Sequence, residues 1–297
     1  MHEVGSQPIA GHRLIQRLGA GAFGEVWEAH GPDGTIVALK FMDCRTASPS
    51  LISSEIRVLR GLSELQHPYF IQMHGVFSTG HYIVLSMERA DGNLDDLRQV
   101  YLEETGRNIP VDHLLELLEQ AAEGLDYLAE LKLPNVNPSS RGLQHCDIKP
   151  SNLLLLGEHL KIADVGLCAG TSWQTHRDSW RGTPPYAAPE LFKGQATIGT
   201  DQFALCMSFL RLCAGDRPFW NTAPEDAPPS GLPIDLTKLR ERELPIIVRA
   251  LHPHADSRWP SCRAFIQAMR EVSQSCRPPI NLRPRCLRPS LQTSGHK

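Results

Sequence analysis

The chain has 297 residues, 41% of them hydrophobic and 21% charged, with 30 Lys plus Arg against 33 Asp plus Glu for a formal net charge of -3. This is the composition of a globular protein with enough length to bury real cores, and it excludes low-complexity and collagen-like chains. Near-neutrality gives no global reason to expect nucleic acid or an anionic membrane as partner, and no apolar run approaches the ~18 residues that span a bilayer.

The opening stretch reads as short strands at 11–18, 23–30 and 35–42, the last two folded into a hairpin by Gly31-Pro32-Asp33-Gly34. Pro49-Ser50 opens a helix in which Leu51, Ile52, Ile56, Leu59 and Leu62 fall at helical spacing, and strands follow at 71–77 and 81–87. After Glu88 the period becomes helical. A short helix is expected at 93–104 and a long one at 112–131, where Leu114, Leu118, Ala121, Leu125 and Leu128 form one stripe. A breaker-rich loop at 133–141 precedes short apolar runs in 143–166 and a long loop at 170–190. Helices are expected at 200–212, 243–251 and 261–272, with a loop at 221–233. Residues 273–297 are Pro- and Arg-rich and read as a flexible tail. Eight cysteines at 44, 146, 168, 206, 213, 262, 276 and 286 contain no C-x-x-C pair. That spacing suits reduced, separately buried thiols, and with no secretory layout in residues 1–11 the expected location is cytoplasmic.

Three strings carry chemistry. Gly19-Ala20-Gly21-Ala22-Phe23-Gly24-Glu25-Val26 fits G-x-G-x-x-G-x-V, in which glycines let backbone amides approach phosphate oxygens. A dinucleotide turn would run into a helix, whereas here a hairpin and another strand follow; a ligand-free Gly-rich hairpin also fits the glycines alone. Val37-Ala38-Leu39-Lys40 puts Ala38 and Lys40 on one strand face, and Glu55 in the next helix is the acid best placed to hold the lysine. Taken singly, these two also fit an exposed strand lysine and a solvated helix glutamate. His145-Cys146-Asp147-Ile148-Lys149-Pro150-Ser151-Asn152 supplies a carboxylate to orient a hydroxyl, a cation, and a neutral oxygen for magnesium. Asp164-Val165-Gly166, twelve residues past Asn152, adds a second acid able to chelate Mg²⁺.

In this order and combination the motifs resemble the eukaryotic-type (Hanks-type) serine/threonine protein kinases, in the style of their bacterial members, over residues 11–272. The resemblance implies an α+β, two-lobed fold. Residues 11–88 would form an N-lobe with a small antiparallel sheet and one helix, and 89–272 a mainly helical C-lobe, flanked by an extension at 1–10 and the tail at 273–297. It implies ATP and Mg²⁺ (or Mn²⁺) as cofactors and protein substrates as partners. Leu18, Gly19, Gly21, Gly24, Val26 and Ala38 would line the nucleotide, and Lys40, paired with Glu55, would touch its α/β-phosphates. Met87 would be the gatekeeper, and Glu88 and Ala90 would bound the hinge that meets adenine. Asp147 would be the base, Lys149 a γ-phosphate contact that favours Ser/Thr substrates, and Asn152 and Asp164 the metal ligands. Thr183 would lie in the substrate-facing stretch, Glu190 would pair with Arg258, and Asp201 would anchor the catalytic loop.

The chain departs from the family pattern in two places. Cys146 stands where the family has the arginine that meets an activation-loop phosphate, which implies activity without that phosphate. Val165 stands in place of phenylalanine and is expected to be a smaller hydrophobic plug. A pseudokinase scaffold lacking efficient catalysis and a small-molecule phosphotransferase are the alternatives. The first is opposed by the presence of Lys40, Asp147, Asn152 and Asp164, the second by the A-P-E segment and the glycine hairpin. The His252-Pro253-His254 pair lacks a third ligand and reads as two loop histidines. Residues 273–297 carry +5 with no acid, so residues 1–272 carry -8 of the total -3. Such a tail reads as a solvated terminus, and an acidic partner or the kinase body itself is the surface on which it could dock.

Overall fold

The computed structural model describes residues 2–21, 24–131, 142–165, 183–215 and 239–274. The expected loops at 133–141 and 221–233, residues 166–182 (which take in most of the loop expected at 170–190), and residues 275–297 lie outside the described residues.

A five-stranded antiparallel sheet of order β1-β2-β3-β5-β4 forms the N-lobe. Its strands are β1 (Arg13–Gly21), β2 (Gly24–His30), β3 (Ile36–Asp43), β4 (Met73–Thr79) and β5 (Tyr82–Glu88), with helix α1 (Pro49–Ser63) between β3 and β4. Period-two alternation sorts the side chains. Val37, Leu39 and Phe41 join Trp27, Ala29 and Val84 on one face, covered by Ile9 of the N-terminal stretch. Ala38, Leu85 and Met87 face the other way, toward Leu59 of α1. β1 runs three residues further than its apolar pattern suggests, because its pairing with β2 continues through Gly21 opposite Gly24. Strand β4 begins at Met73 rather than 71, because the preceding chain is committed elsewhere. Ile71 N–H donates to Ile162 O at 2.9 Å, and Ile162 N–H donates to Tyr69 O at 2.8 Å, stitching the two lobes together.

The C-lobe contains a small sheet β6-β7-β8, of β6 (Gly92–Asn93), β7 (Leu153–Leu156) and β8 (His159–Ile162). It also contains α2 (Leu94–Thr105), α3 (Val111–Glu130), α4 (Thr200–Ala214), α5 (Leu244–Ala250) and α6 (Cys262–Gln274). Asn93 starts α2: its side chain accepts from the backbone of Asp95 and Asp96 while the Asp96 carboxylate accepts from Asn93 N–H, a reciprocal cap worth about 1 kcal/mol. The α3 stripe packs on α4, α6 and β8, with Leu114, Leu118, Ala121, Leu125 and Leu128 all buried. Each such leucine contributes roughly 1.5–3 kcal/mol by leaving water. Helix α4 is buried at 13 of its 15 positions and therefore acts as the pillar of the lobe. Among its fully buried polar members, Gln202 donates to Trp259 O and Ser261 O and accepts from Trp259 N–H, and the Ser208 hydroxyl donates to Ala204 O. Helix α6 extends two residues beyond 272, because Ser273 is buried against α3 and its hydroxyl donates to Asp112 Oδ1 at 2.5 Å. Residue 273 thus belongs to the folded body.

Cys44, Cys146, Cys206 and Cys262 are buried, and burial pushes the Cys206 and Cys262 thiols well above their ordinary range. No helix among the described residues is long and apolar enough to cross a membrane.

Candidate active site

The glycine-rich strands lie at one edge of the large sheet, with Gly19 opposite Val26. Gly24 has φ of 120°, and a Cβ there would lie 1.7 Å from the Phe41 carbonyl oxygen. Glycine is thus required at 24 so that β2 can press against β3, while Cβ atoms at Gly19 or Gly21 would meet nothing within 4 Å. Those two glycines answer to no crowding within the fold. Leu18 is 42% exposed.

Lys40 sits between Val26 of β2 and Leu85 of β5. Its ammonium donates to Asp164 Oδ1 at 2.6 Å, with both side chains largely withdrawn from water. Ala38 is registered with Glu28 on one side and Met87 on the other, which puts the smallest side chain of the strand beside Met87. Glu55 is buried on α1.

At Glu88 the chain passes between lobes through a set of ion pairs. Glu88 Oε1 accepts from Lys161 Nζ at 2.6 Å and from Gln72 N–H at 2.8 Å. Arg89 reaches back to Glu28 of β2 at 2.8 Å and forward to Asp91 at 3.4 Å. Ala90 lies between these bracketing charges.

The loop after residue 142 is fixed by hydrogen bonds to backbone. Asp201, buried at the start of α4, accepts from His145 N–H at 2.6 Å and from Cys146 N–H at 2.8 Å. Burial pushes its carboxyl up, opposed by His145 and by these two amide donors. His145 Nδ1 accepts from Asp147 N–H at 3.3 Å, so Nε2 carries the proton and donates to Ala163 O at 2.7 Å. Ala163 N–H in turn donates to Asn152 O at 2.9 Å. These bonds place the 145–152 loop beside Asp164. Cys146 (φ 67°) and Asp164 (φ 66°) are the non-glycine residues with left-handed backbone among those described. That conformation costs about 1–2 kcal/mol per residue and persists where surroundings over-determine it.

Asp147 is the focus of the loop. One of its carboxylate oxygens, Oδ2, accepts from Lys149 Nζ at 2.8 Å and from Asn152 Nδ2 at 3.1 Å. The other, Oδ1, accepts from the Thr183 hydroxyl at 2.8 Å. Lys149 Nζ also donates to Thr183 Oγ1, at 2.7 Å. An alcohol oxygen is therefore held between a carboxylate and an ammonium. Asn152 Nδ2 donates a second bond to Asp147 O at 2.8 Å, which commits the amide nitrogen and leaves Oδ1 as the acceptor end. Val165 is 6% exposed and packs into the main core.

Beyond the loop, Glu190 and Arg258 form a two-pronged pair at 2.8 and 2.9 Å. Arg258 is fully buried and also donates to Gly199 O and His252 O. Burial alone would raise the Glu190 carboxyl, but hydrogen bonding and charge from Arg258 hold it below its ordinary value. Sequence reasoning did not find the cluster of Tyr186, Asp95, Arg98 and Arg211, whose members come from the short turn Pro184–Tyr186, α2 and α4. Burial first, and the Asp95 charge second, push the Tyr186 phenol up to about 12. Nothing in the spacing announces this cluster, since its members are scattered over more than a hundred residues. His252 and His254 bond to each other's loop, and no three His, Cys, Asp or Glu among the described residues gather into a metal site.

Residues 12–282 match the protein kinase domain family. The chain belongs to that family. CBL-interacting protein kinase 4 of Oryza sativa subsp. japonica is 30% identical over 273 residues, which cover 85% of this chain and 56% of that protein. Serine/threonine-protein kinase ATG1a of Arabidopsis thaliana is 29% identical over 71% of this chain and 32% of its own length. The chain thus spans about half, or less, of the curated relatives it matches. Among solved structures, the PknI kinase domain of M. tuberculosis superimposes with a TM-score of 0.70 at 26% identity, covering 92% of this chain and all of that one. Its C20A mutant gives a TM-score of 0.69. The antiparallel N-lobe and helical C-lobe are therefore those of a protein kinase, with the M. tuberculosis PknI kinase domain among its structural neighbours.

Proposed function

We propose that this kinase transfers the γ-phosphoryl group of ATP to serine and threonine hydroxyls of protein substrates in the cytoplasm, with Asp147 as base. The observation that carries the reading is the Asp147–Lys149–Thr183 triangle, because a built site already holds a threonine oxygen between a carboxylate and an ammonium. A substrate hydroxyl taking the place of Thr183 would be oriented by Asp147 Oδ1, which accepts its proton as the oxygen attacks phosphorus; Lys149 would neutralise charge on the transferred group. Asp147 stays aimed because Asn152 and Lys149 hold its other oxygen. Lys40 and the amides of Gly19, Gly21 and Gly24 would bind the nucleotide phosphates, Glu55 would steady Lys40, and backbone groups between Glu88 and Ala90 would meet adenine under Met87.

The donor set fits magnesium. Asp164 offers a carboxylate and Asn152 an amide oxygen, both hard donors, and Mg²⁺ needs few protein ligands because it keeps waters and phosphates. When bound, the metal neutralises charge on the phosphates. Lys40 occupies one Asp164 oxygen here, so the nucleotide must share that lysine. The buried backbone support of Cys146 by Asp201 supports a loop that is set without an activation-segment phosphate; residues 166–182 lie outside those described.

The test is transfer of labelled γ-phosphate from Mg-ATP to a protein acceptor. Loss of a general base costs about 10²–10⁴-fold, so Asp147→Asn should fall by that much and Asp164→Asn should be silent. No label from the parent, with nucleotide still bound, would make the chain a scaffold instead.

A further inference from the structure

Helix α3 carries Asp112, Glu116, Glu119, Glu123, Asp126 and Glu130 and neither lysine nor arginine. Steps of four and three alternate between them, which places all six on one side of the helix in two rows of seven-residue spacing. The first row is used by the fold. Asp126 accepts the backbone N–H groups of Cys262 and Arg263 that open α6, Glu119 pairs with Arg270, and Asp112 accepts from Ser273. Helix α6 therefore lies antiparallel along this row and ends, at Gln274, beside the start of α3.

The second row, Glu116, Glu123 and Glu130, is exposed. At 1.5 Å per residue it runs about 21 Å along the helix. His67, stacked on Tyr127, feels the charge of Glu123, yet burial lowers its pKa and so disfavours its cationic form. The next 23 residues of the chain, 275–297, contain Arg277, Arg283, Arg285, Arg288 and Lys297 and no acid. They begin at the head of this row. The six residues from Arg277 to Arg283 reach about 20 Å when extended, the length of the row. Three of the four arginines precede proline, a pattern that disfavours helix.

We propose that the Glu116–Glu123–Glu130 row is the docking face for the chain's own residues 275–297, whose arginines lie over the three carboxylates. The occupant is fixed by where α6 delivers the chain, by its reach, and by its opposite charge. Docking requires no phosphoryl transfer, so it stands or falls apart from the catalytic reading.

Trypsin tests it on the full chain. Arg285 is the one arginine of the segment not followed by proline, so it is the site at which trypsin reports exposure. At about 20 mM salt, where screening is weak, a Glu116→Gln/Glu123→Gln/Glu130→Gln variant should be cut there about tenfold faster than the parent; in about 0.5 M salt the two rates should converge. An unchanged thermal midpoint shows that the variant, altered only at exposed positions, is folded; should it not be, the single Glu123→Gln is read the same way. Equal rates for parent and variant at low salt overturn the proposal. Protection of the parent that grows with protein concentration also overturns it, assigning the row to the segment of a second copy.

Discussion

Replacing Arg258 with methionine isolates one buried charge. The parent guanidinium has no exposed surface, holds both Glu190 oxygens at 2.8 and 2.9 Å, and lies 5.0 Å above the Phe203 ring. Methionine fills much of the space but leaves Glu190 with Thr200 Oγ1 at 2.8 Å and no cation in its place. Breaking one side of a buried pair costs about 3–5 kcal/mol, most of it the burden of the stranded carboxylate. That cost is pH-dependent with a definite sign. In the parent the Glu190 pKa lies below its ordinary 4.5, so its stabilisation is present above that value and lost as pH falls through the folded pKa. In the variant, burial is left to raise the pKa, so the penalty is full at neutral pH and relieved as the carboxyl takes up a proton. Urea unfolding followed by tryptophan fluorescence at about pH 7.5 and 5.0 should show a smaller difference between variant and parent at the lower pH, by about 1.4 kcal/mol for each unit the variant pKa exceeds 5. The companion Glu190→Leu/Arg258→Met variant should recover part of the loss. A difference that does not change with pH would refute the reasoning, because lost packing carries no proton.

The glycines separate a folding role from a ligand role. Gly24→Ala should cost at least about 2 kcal/mol in the unfolding free energy, from positive φ and the clash with Phe41 O, whereas Gly21→Ala should stay within about 1 kcal/mol of the parent yet weaken ATP binding, as read by calorimetry. For Tyr186, whose phenol is raised from 10 to about 12, stability is fully present below pH 10 and is lost as pH rises through 12. Unfolding of the parent at pH 9.5 and 11.5 should therefore differ by up to about 2 kcal/mol more than that of Tyr186→Phe.

Contiguous strings were legible because their physics is local. The hairpin turn at 31–34, the Ala38–Lys40 alternation and the 145–152 loop each encode their geometry within a few residues. The α3 stripe was equally clear, since nine of its positions are buried at helical spacing. The start of β4 was misplaced because Ile71 alternates as a strand residue should, while its backbone partner, Ile162, is 91 positions away. The last two residues of α6 are hidden for the same reason: Ser273 looks like the first residue of a polar tail until Asp112 arrives from 161 positions off. Within the site, Asp147 and its partner Lys149 lie two residues apart in one string, but the Thr183 hydroxyl that completes the triangle comes 36 and 34 residues later, and no spacing rule links them.

The crossing between lobes is bracketed by Lys161–Glu88, Arg89–Glu28 and Arg89–Asp91, partly exposed charge pairs. Such pairs, 13–33% exposed, are screened by salt less than pairs on the open surface, whereas apolar packing carries no charge for salt to screen. The backbone bonds of Ile71 and Ile162 hold the lobes together whatever the salt, while the charge pairs beside them give ionic strength a grip on the crossing alone, with the cores of both lobes left untouched.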